Sequence, residues 1–216
     1  MIREKRKDMN SIAYQAAKKC DIPWPHEVLL RAFLEQHQIL TEPEIQTIIQ
    51  AMQYRKVPKG TCFVSEGTLS REFALVKEGF FRHLIRETTG EEKTYSITFP
   101  NQIIASYGAL ISGKGSSECI EAITDAELLL LPFDVLETQL QDNLNWLKFS
   151  KTIIKSAYVE LENRVFQLLN KTPKERYLEL LAHRPHYVQQ IPLKFLASYL
   201  GISSRHLSRL RREITL

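Results

Sequence analysis

Residues 193–212 read LKFLASYLGISSRHLSRLRR, and this segment decides how the end of the chain folds. Apolar side chains recur at α-helical spacing on both sides of Gly201. Because glycine adopts a left-handed backbone at the lowest cost, Gly201 predicts a turn between two helices. A hydroxyl of Ser203 or Ser204 is the candidate cap of the second helix. The shared inner face of the pair is predicted to hold Leu196, Leu200, Ile202, Leu207 and Leu210.

The opposite face of the second helix, predicted to span residues 203–212, is basic and polar. Ala197 is small where the two helices must cross closely. The outward positions are Arg205, His206, Ser208, Arg209 and Arg212. A rigid helix pair with one basic face is what a helix-turn-helix inserts into the major groove of DNA. The alternative interpretation is a terminal helical hairpin whose basic face is simply solvated.

Positive charge is concentrated in the same part of the chain. The formal net charge of all 216 residues is +4. Residues 171–216 hold nine Lys and Arg against three Asp and Glu, whereas residues 1–170 hold 20 against 22. The basic excess therefore coincides with the predicted helix-turn-helix, where it would attract phosphates and speed the encounter with DNA.

The cysteines and the apolar runs argue against several classes of protein. Cys20, Cys62 and Cys119 are odd in number and form no Cys-x-x-Cys pair, which predicts reduced thiols, no metal site and no bound cofactor. Apolar runs such as residues 128–131 are too short to span a bilayer, and no signal peptide is predicted. We expect a soluble cytoplasmic protein without a membrane partner. The sequence shows no set of residues arranged for catalysis, so we expect that the protein is not an enzyme.

The chain before residue 54 is polar and then helical. Residues 1–25 form a polar lead-in, and helices are predicted over residues 26–37 and 42–53. Thr41 is the candidate N-cap of the second helix, because a proline and a glutamate follow it in the first turn.

Between residues 54 and 133 short apolar or alternating runs are separated by turn residues. The runs that predict strands are residues 61–64, 73–76, 80–85, 93–97, 119–123 and 127–131. Glycines at positions 60, 67, 79 and 90 lie between several of them. Short strands at a spacing of roughly ten residues, with turns between them, predict an all-β sandwich or barrel.

A long helix is predicted to begin near Asp134, and its second part carries a heptad pattern. The heptad positions are Leu147, Lys151, Ile154, Tyr158, Leu161, Val165 and Leu168, of which only the lysine is polar. This seam favours pairing with the same helix of a second subunit. The alternative is an amphipathic helix packed on its own domain. Ile153 and Ala157 supply a second apolar flank suited to the β domain.

A new helix is predicted after the break at residues 171–173. Thr172 caps it, with Glu175 at the third helical position, and the helix runs to about His183. Residues 186–191 form a short connection with a candidate β-ribbon.

The chain resembles the cyclic-AMP receptor protein and fumarate–nitrate regulator (Crp/Fnr) superfamily of bacterial transcription factors. The resemblance rests on the order of these parts and on Lys59-Gly60-Thr61, Gly67, Val76, Gly79 and Gly90-Glu91. It implies an α+β fold: an N-terminal double-stranded β-helix of the jelly-roll-like, cyclic-nucleotide-binding type in residues 26–133, a long dimerisation helix in residues 134–170 and a C-terminal winged helix-turn-helix in residues 171–216. It also implies a homodimer that binds double-stranded DNA and RNA polymerase.

Members of this superfamily that bind a cyclic nucleotide hold its phosphate on a Gly-Glu-Leu turn and a later Arg-Ser or Arg-Thr pair. Here the matching residues are Ala105-Ser106-Tyr107 and Ser116-Ser117, so the carboxylate and the arginine are missing. Lys114 is the nearby cation. We therefore expect another small-molecule effector, or a vestigial pocket, rather than cyclic AMP. The candidate pocket residues are Tyr95, Ser106, Tyr107, Ser116, Ser117 and Glu118.

The register of the superfamily assigns roles on the second helix of the pair. Ser204, Arg205 and Arg209 fall at base-reading positions, and Arg209 is the best candidate for a guanine contact. The residues expected to contact phosphates or to flank the groove are Ser203, His206, Ser208 and Arg212. The predicted function is sequence-specific transcription regulation by a homodimer. The competing class is a ligand-sensing module of the cyclic-nucleotide-binding type in which DNA binding is secondary or lost.

Overall fold

The fold is described by a computed structural model covering residues 25–140 and 142–215. Its centre is a β-roll made of β1 (Gln53–Val57), β2 (Cys62–Val64), β3 (Glu72–Glu78), β4 (Phe81–Arg86), β5 (Glu92–Thr98), β6 (Ile103–Ile104), β7 (Cys119–Ala122) and β8 (Ala126–Pro132). The strands form two antiparallel four-stranded sheets, in the orders β1-β8-β3-β6 and β2-β7-β4-β5.

The six predicted strand runs all lie on strands of the β-roll, so that prediction is confirmed. Two strands were missed, because β1 buries only Val57 and β6 is two residues long. Apolar side chains of both sheets, among them Phe81 and Leu128, meet in one core. Gly79 is required at its turn, since its φ is 86° and an added Cβ would lie 2.5 Å from the carbonyl oxygen of Asp125.

Two helices precede the β-roll, as predicted: α1 (Pro25–Glu35) and α2 (Glu42–Ala51). Thr41 is the N-cap of α2, as predicted, and it forms a capping box in which its backbone N–H donates to Glu44 Oε2 at 2.6 Å. Both helices pack with Trp146 on one sheet of the β-roll. The predicted lead-in falls, apart from residue 25, outside the described residues.

The helix predicted from residue 134 onward is interrupted, so the prediction of one continuous helix was wrong. The chain forms α4 (Phe133–Leu140) and then α5 (Leu144–Asn170), while α3 (Tyr107–Ser112) is a short helix within the β-roll. Asn143 causes the new start, since its Oδ1 accepts a hydrogen bond from Trp146 N–H at 2.8 Å and its backbone is extended. Neither α5 nor any other described helix has the apolar length that a bilayer span requires.

Four helices complete the described chain: α6 (Pro173–His183), α7 (Pro185–Val188), α8 (Leu193–Leu200) and α9 (Ser204–Thr215). Thr172 caps α6 as predicted, because its Oγ1 accepts from Glu175 N–H at 3.3 Å. The prediction of a β-ribbon at residues 186–191 was wrong. A short helix begins at Pro185 instead, because the fixed φ of proline suits the first position of a helix. Residues 171–215 contain no strand, so the wing is not confirmed.

These last helices pack directly on the β-roll. One hydrophobic core contains both Phe80 of the β-roll and Phe195 of α8. Thr94 N–H of β5 donates to Ser198 Oγ of α8 at 3.0 Å. The guanidinium of Arg82 lies 4.3 Å from the centroid of the Phe195 ring, a cation–π contact. The β-roll and the C-terminal helices therefore share a continuous interface.

Candidate nucleic-acid interface and effector pocket

Helices α8 and α9 are joined by the turn that the sequence predicts. Gly201 has a φ of 70°, in the left-handed region. Ile202 N–H donates to the carbonyl oxygen of Ala197 at 3.0 Å, which satisfies an acceptor at the end of α8. Ser203 Oγ accepts from His206 N–H at 3.2 Å, so the first of the two candidate serines caps α9.

The predicted inner face of this helix pair is buried. Its buried residues are Leu196, Ala197, Leu200, Leu207 and Leu210, and Ile202 is half-buried against them. An amphipathic helix that buries one face must expose the other. The burial of the leucines therefore fixes which residues of α9 face solvent.

The outward face of α9 presents the predicted basic and polar residues. None of the seven is buried: Ser203, Arg205, Arg209 and Arg212 are exposed, and Ser204, His206 and Ser208 are half-buried. The Arg209 side chain is 70 % exposed, and its Nε lies 3.7 Å from Glu213 Oε1. Exposed pairs of this kind contribute little stability, so Glu213 holds Arg209 only weakly. Arg211 differs, because its Nη2 donates to the carbonyl oxygen of Val188 at 3.3 Å.

A buried arginine ties this helix pair to α5. Arg176 Nη1 donates to the carbonyl oxygen of Lys171 at 2.5 Å, and Nη2 donates to that of Leu200 at 2.7 Å. Both oxygens lie at the C-terminal ends of their helices, α5 and α8, where the helix itself provides no backbone N–H to bond them. Arg176 thereby couples the position of α9 to the end of α5. This role leaves no pattern in the sequence, since both contacts are with backbone atoms.

The apolar residues of the predicted heptad seam are exposed on α5. Each is between 41 % and 63 % exposed: Leu147, Ile154, Tyr158, Leu161, Val165 and Leu168. Ile153 and Ala157 are half-buried on the other flank, and Ile153 packs in the cluster of Trp146, as predicted. An exposed apolar stripe of this length is typical of a protein–protein contact.

A cavity of about 480 Å³ lies between the β-roll and α5. The β-roll supplies polar groups, and α5 supplies an apolar wall that includes Ile153 and Ala157. Three of the six predicted pocket residues line it: Tyr95, Tyr107 and Glu118. The seam residues Ile154, Tyr158 and Leu161 also line it. The cavity therefore adjoins the exposed stripe of α5.

Glu118 lies at the centre of the polar wall of this cavity and is hydrogen-bonded to two other residues of that wall. His83 Nδ1 lies 2.9 Å from Glu118 Oε2, and His83 Nε2 lies 2.8 Å from Thr98 Oγ1. The hydroxyl of Tyr95 donates to Glu118 Oε2. Burial alone would raise the pKa of Glu118, but the hydrogen bonds from His83 and Tyr95 outweigh burial and hold that pKa below its usual value. Burial raises the pKa of Tyr95, which keeps its hydroxyl a donor.

Arg164 of α5 connects the cavity with α8. Its Nε donates to the carbonyl oxygen of Tyr95 at 2.9 Å, and its Nη2 donates to the carbonyl oxygen of Tyr199. Its guanidinium carbon lies 3.9 Å from the centroid of the Tyr199 ring. Burial lowers the pKa of Arg164, yet a guanidinium stays charged at neutral pH. One buried cation thus joins β5, α5 and α8.

The comparisons with known proteins agree on the architecture. Residues 54–143 match the family model of the cyclic nucleotide-binding domain. FixK2 from Bradyrhizobium japonicum is similar over 76 % of this chain and 84 % of its own, at 17 % identity and a TM-score of 0.68. A proposed Crp/Fnr transcriptional regulator from Eubacterium rectale is similar over 85 % of this chain and 88 % of its own, at 18 % identity and a TM-score of 0.63. No curated protein matches the sequence.

This chain has the fold of these solved structures. A third structure with that fold, the c-di-GMP responsive regulator CLP of Xanthomonas campestris, is similar over 81 % of this chain and 92 % of its own. Its identity is 16 % and its TM-score is 0.58. The β-roll of the cyclic-nucleotide-binding type is confirmed, and so is the presence of a long helix after it, although that helix begins at Leu144.

Ser106 and Ser116, two of the residues matched to the phosphate cassette, lie side by side in this chain. Ser106 Oγ lies 2.9 Å from Ser116 Oγ, and Ser116 Oγ donates to the carbonyl oxygen of Glu118 at 2.9 Å. Both serines are buried behind the cavity wall, while Ser117 is exposed outside it. The cavity lining includes none of these three residues, and their role in an effector pocket stays a prediction. Both serine hydroxyls thus have hydrogen-bond partners within the protein.

Of the charged residues near the matched cassette, neither Glu121 nor Lys114 lines the cavity. Glu121 accepts from Arg82 Nε at 2.8 Å and does not line the cavity. Lys114 is exposed, and the guanidinium that lines the cavity is that of Arg164, a residue distant in sequence. The described residues contain no cluster of three potential metal ligands.

Glu118→Gln should lower the free energy of unfolding by about 1–3 kcal/mol at neutral pH, because an amide cannot replace an ionised acceptor. A carboxyl with a lowered folded-state pKa adds stability above its usual pKa of 4.5 and loses that contribution as the pH falls through the lowered value. The difference from the native chain in urea unfolding should therefore shrink with acid. Glu91→Gln, at an exposed position, is the control. A pH-independent difference for Glu118→Gln would contradict the role of Glu118.

Proposed function

We propose that this protein is a sequence-specific DNA-binding transcription regulator that acts as a homodimer. The observation that carries the proposal is the division of α9 into a buried leucine face and an exposed face with Arg205, Arg209 and Arg212. A helix anchored in this way, with guanidinium groups free to reach base edges and phosphates, suits the major groove. The Crp/Fnr fold is consistent with this function.

Roles on α9 follow from exposure and position. We assign base contacts to Ser204, Arg205 and Arg209, and phosphate or flanking contacts to Ser203, His206, Ser208 and Arg212. Arg209 is the principal reader, because a guanidinium binds guanine O6 and N7 through two hydrogen bonds. The positive excess of residues 171–216 supports the approach to DNA.

Two copies are proposed to pair along the exposed seam of α5. Pairing would bury the apolar residues that a single chain leaves in water. Because Arg176 ties the end of α5 to α8, pairing of the two α5 helices also sets the distance between the two α9 helices. A two-fold symmetric dimer would then match two DNA half-sites whose centres lie about one turn of the double helix apart.

The cavity is the proposed site of a small-molecule effector other than cyclic AMP. A ligand that displaces Tyr95 would disturb Arg164, which is also bonded to Tyr199 of α8. Ligand binding can change DNA affinity only if the two states differ in such contacts. RNA polymerase is the further partner that the resemblance implies.

The proposal is tested by binding of the full-length chain to a random-sequence DNA duplex at two salt concentrations, followed by fluorescence anisotropy. The logarithm of the association constant should fall linearly with the logarithm of the salt concentration, with a slope of about −0.9 for each phosphate contact. Arg212→Ala should reduce this slope by about one unit per lost contact, whereas Arg55→Ala on the β-roll should not. A ligand-sensing module without DNA binding would show no salt-dependent binding, and that result would overturn the proposal.

A further inference from the structure

Two cysteines that are distant in sequence are neighbours in the β-roll. Cys62 begins β2 and Cys119 begins β7, and these strands pair antiparallel with an irregular register between Cys62 and Val64. The two sulfur atoms lie 3.1 Å apart, although 57 positions separate the residues. A disulfide has an S–S distance of about 2.05 Å, so a shift of about 1 Å would join them.

The two thiols differ in their access to solvent. Cys62 is exposed and Cys119 is buried. A dissolved oxidant therefore reaches Cys62 first, whereas Cys119 can react only with a group already beside it. Burial, and then the hydrogen bond with Cys62, raise the pKa of the Cys119 thiol. Cys119 is therefore a poor nucleophile toward reagents dissolved in the solvent.

We propose that Cys62 and Cys119 form a reversible dithiol–disulfide site whose oxidant is a hydroperoxide. The Cys62 thiolate attacks one peroxide oxygen, the O–O bond breaks, and a sulfenic acid and hydroxide form; the hydroxide takes up the proton released by Cys62. The sulfur of Cys119 then attacks the sulfur of Cys62. The S–O bond breaks, and the sulfenic hydroxyl leaves as water with the proton of Cys119. The two sulfurs lose two electrons, and hydrogen peroxide is reduced to two water molecules.

The position of the bond matters because Cys119 directly follows Glu118. The carboxylate of Glu118 accepts hydrogen bonds from the polar wall of the cavity, including Tyr95. A disulfide would fix the start of β7 to β2 at this point. Disulfides in the reducing cytosol are mostly transient and redox-sensing, which suits a pair that needs little movement to close. This site does not rest on the proposed binding of DNA.

The experiment is titration of the reduced, full-length chain with hydrogen peroxide, followed by thiol counting and peptide mass spectrometry. Free thiols should fall from the three in the sequence to one, with the Cys62 and Cys119 peptides linked within one chain, and dithiothreitol should restore three. Cys20→Ser is the matched control and should keep the link. Cys62→Ser, at an exposed and therefore tolerant position, should abolish it.

Cys119→Ser provides a second arm. Without the resolving sulfur, Cys62 should accumulate as a sulfenic acid that dimedone traps, and little trapping should occur in the native chain. The proposal is overturned if both cysteines remain thiols at peroxide concentrations that oxidise Cys62 in Cys119→Ser. It is also overturned if Cys62 passes to the sulfinic acid without linking to Cys119, or if links form only between chains.

Discussion

Leu161→Glu is expected to convert the proposed dimer into a monomer and to lower its affinity for a symmetric DNA site by about 100-fold or more. Leu161 lies in the middle of the α5 seam and is half exposed in the single chain. In a pair of α5 helices the change removes roughly 1.5–3 kcal/mol of apolar burial per subunit and brings two carboxylates together. Loss of the second half-site removes an avidity factor of about 10²–10⁴. Analytical ultracentrifugation and DNA titration measure the two effects.

Val159→Glu is the matched control for this substitution. Val159 is 50 % exposed and Leu161 is 51 % exposed on the same helix, but Val159 falls off the heptad seam. Both variants introduce the same charge on the same exposed helix, and neither costs helix propensity, because glutamate favours a helix at least as well as leucine or valine. Contact with a partner is therefore the main difference between them. A dimeric Leu161→Glu with normal DNA affinity would contradict pairing through the seam, as would equal loss of the dimer in both variants.

Arg209→Ala is expected to reduce the preference for the cognate site sharply while leaving the proposed dimer intact. A bidentate arginine contact with guanine contributes about 1–3 kcal/mol of discrimination at its base pair, which corresponds to a loss of about 5- to 150-fold in each half-site. Arg209 is mostly exposed and makes only one weak pair, with Glu213, so its removal should not unfold α9. Competition between cognate and random duplexes measures the change.

Arg55→Ala removes the same charged group from the β-roll, where Arg55 pairs with Glu72 at 3.1 Å. It should preserve the ratio of cognate to random affinity. If Arg209→Ala weakens both duplexes equally, Arg209 contacts phosphate rather than a base. If it changes neither affinity, the face assigned to α9 is wrong.

Local chemistry explains why much of the fold could be predicted from the sequence. The capping boxes at Thr41 and Thr172 are satisfied within four residues, and Gly201 needs no distant partner to form its turn. The apolar runs that form strands could be recognised because turn residues flank them in the sequence. The inner and outer faces of α9 follow from helical periodicity alone, and burial confirms them.

The parts that sequence reasoning missed depend on tertiary contacts. Arg164 and Arg176 act through hydrogen bonds to backbone oxygens of distant elements, which leave no pattern in the sequence. Cys62 and Cys119 become neighbours only when β2 pairs with β7. The burial of Ser106 could not be predicted either, because its partner Ser116 comes from a later part of the chain.

Selection of bound sequences from a random DNA pool tests the central claim most directly. A dimer joined along α5 should enrich an inverted repeat whose half-sites lie one helical turn apart, about 10–10.5 base pairs from centre to centre. Leu161→Glu should lose the repeat, and Arg209→Ala should lose one conserved base pair in each half. Recovery of no motif, or of a single half-site without its symmetry mate from the native chain, would contradict a symmetric dimer that reads DNA through α9.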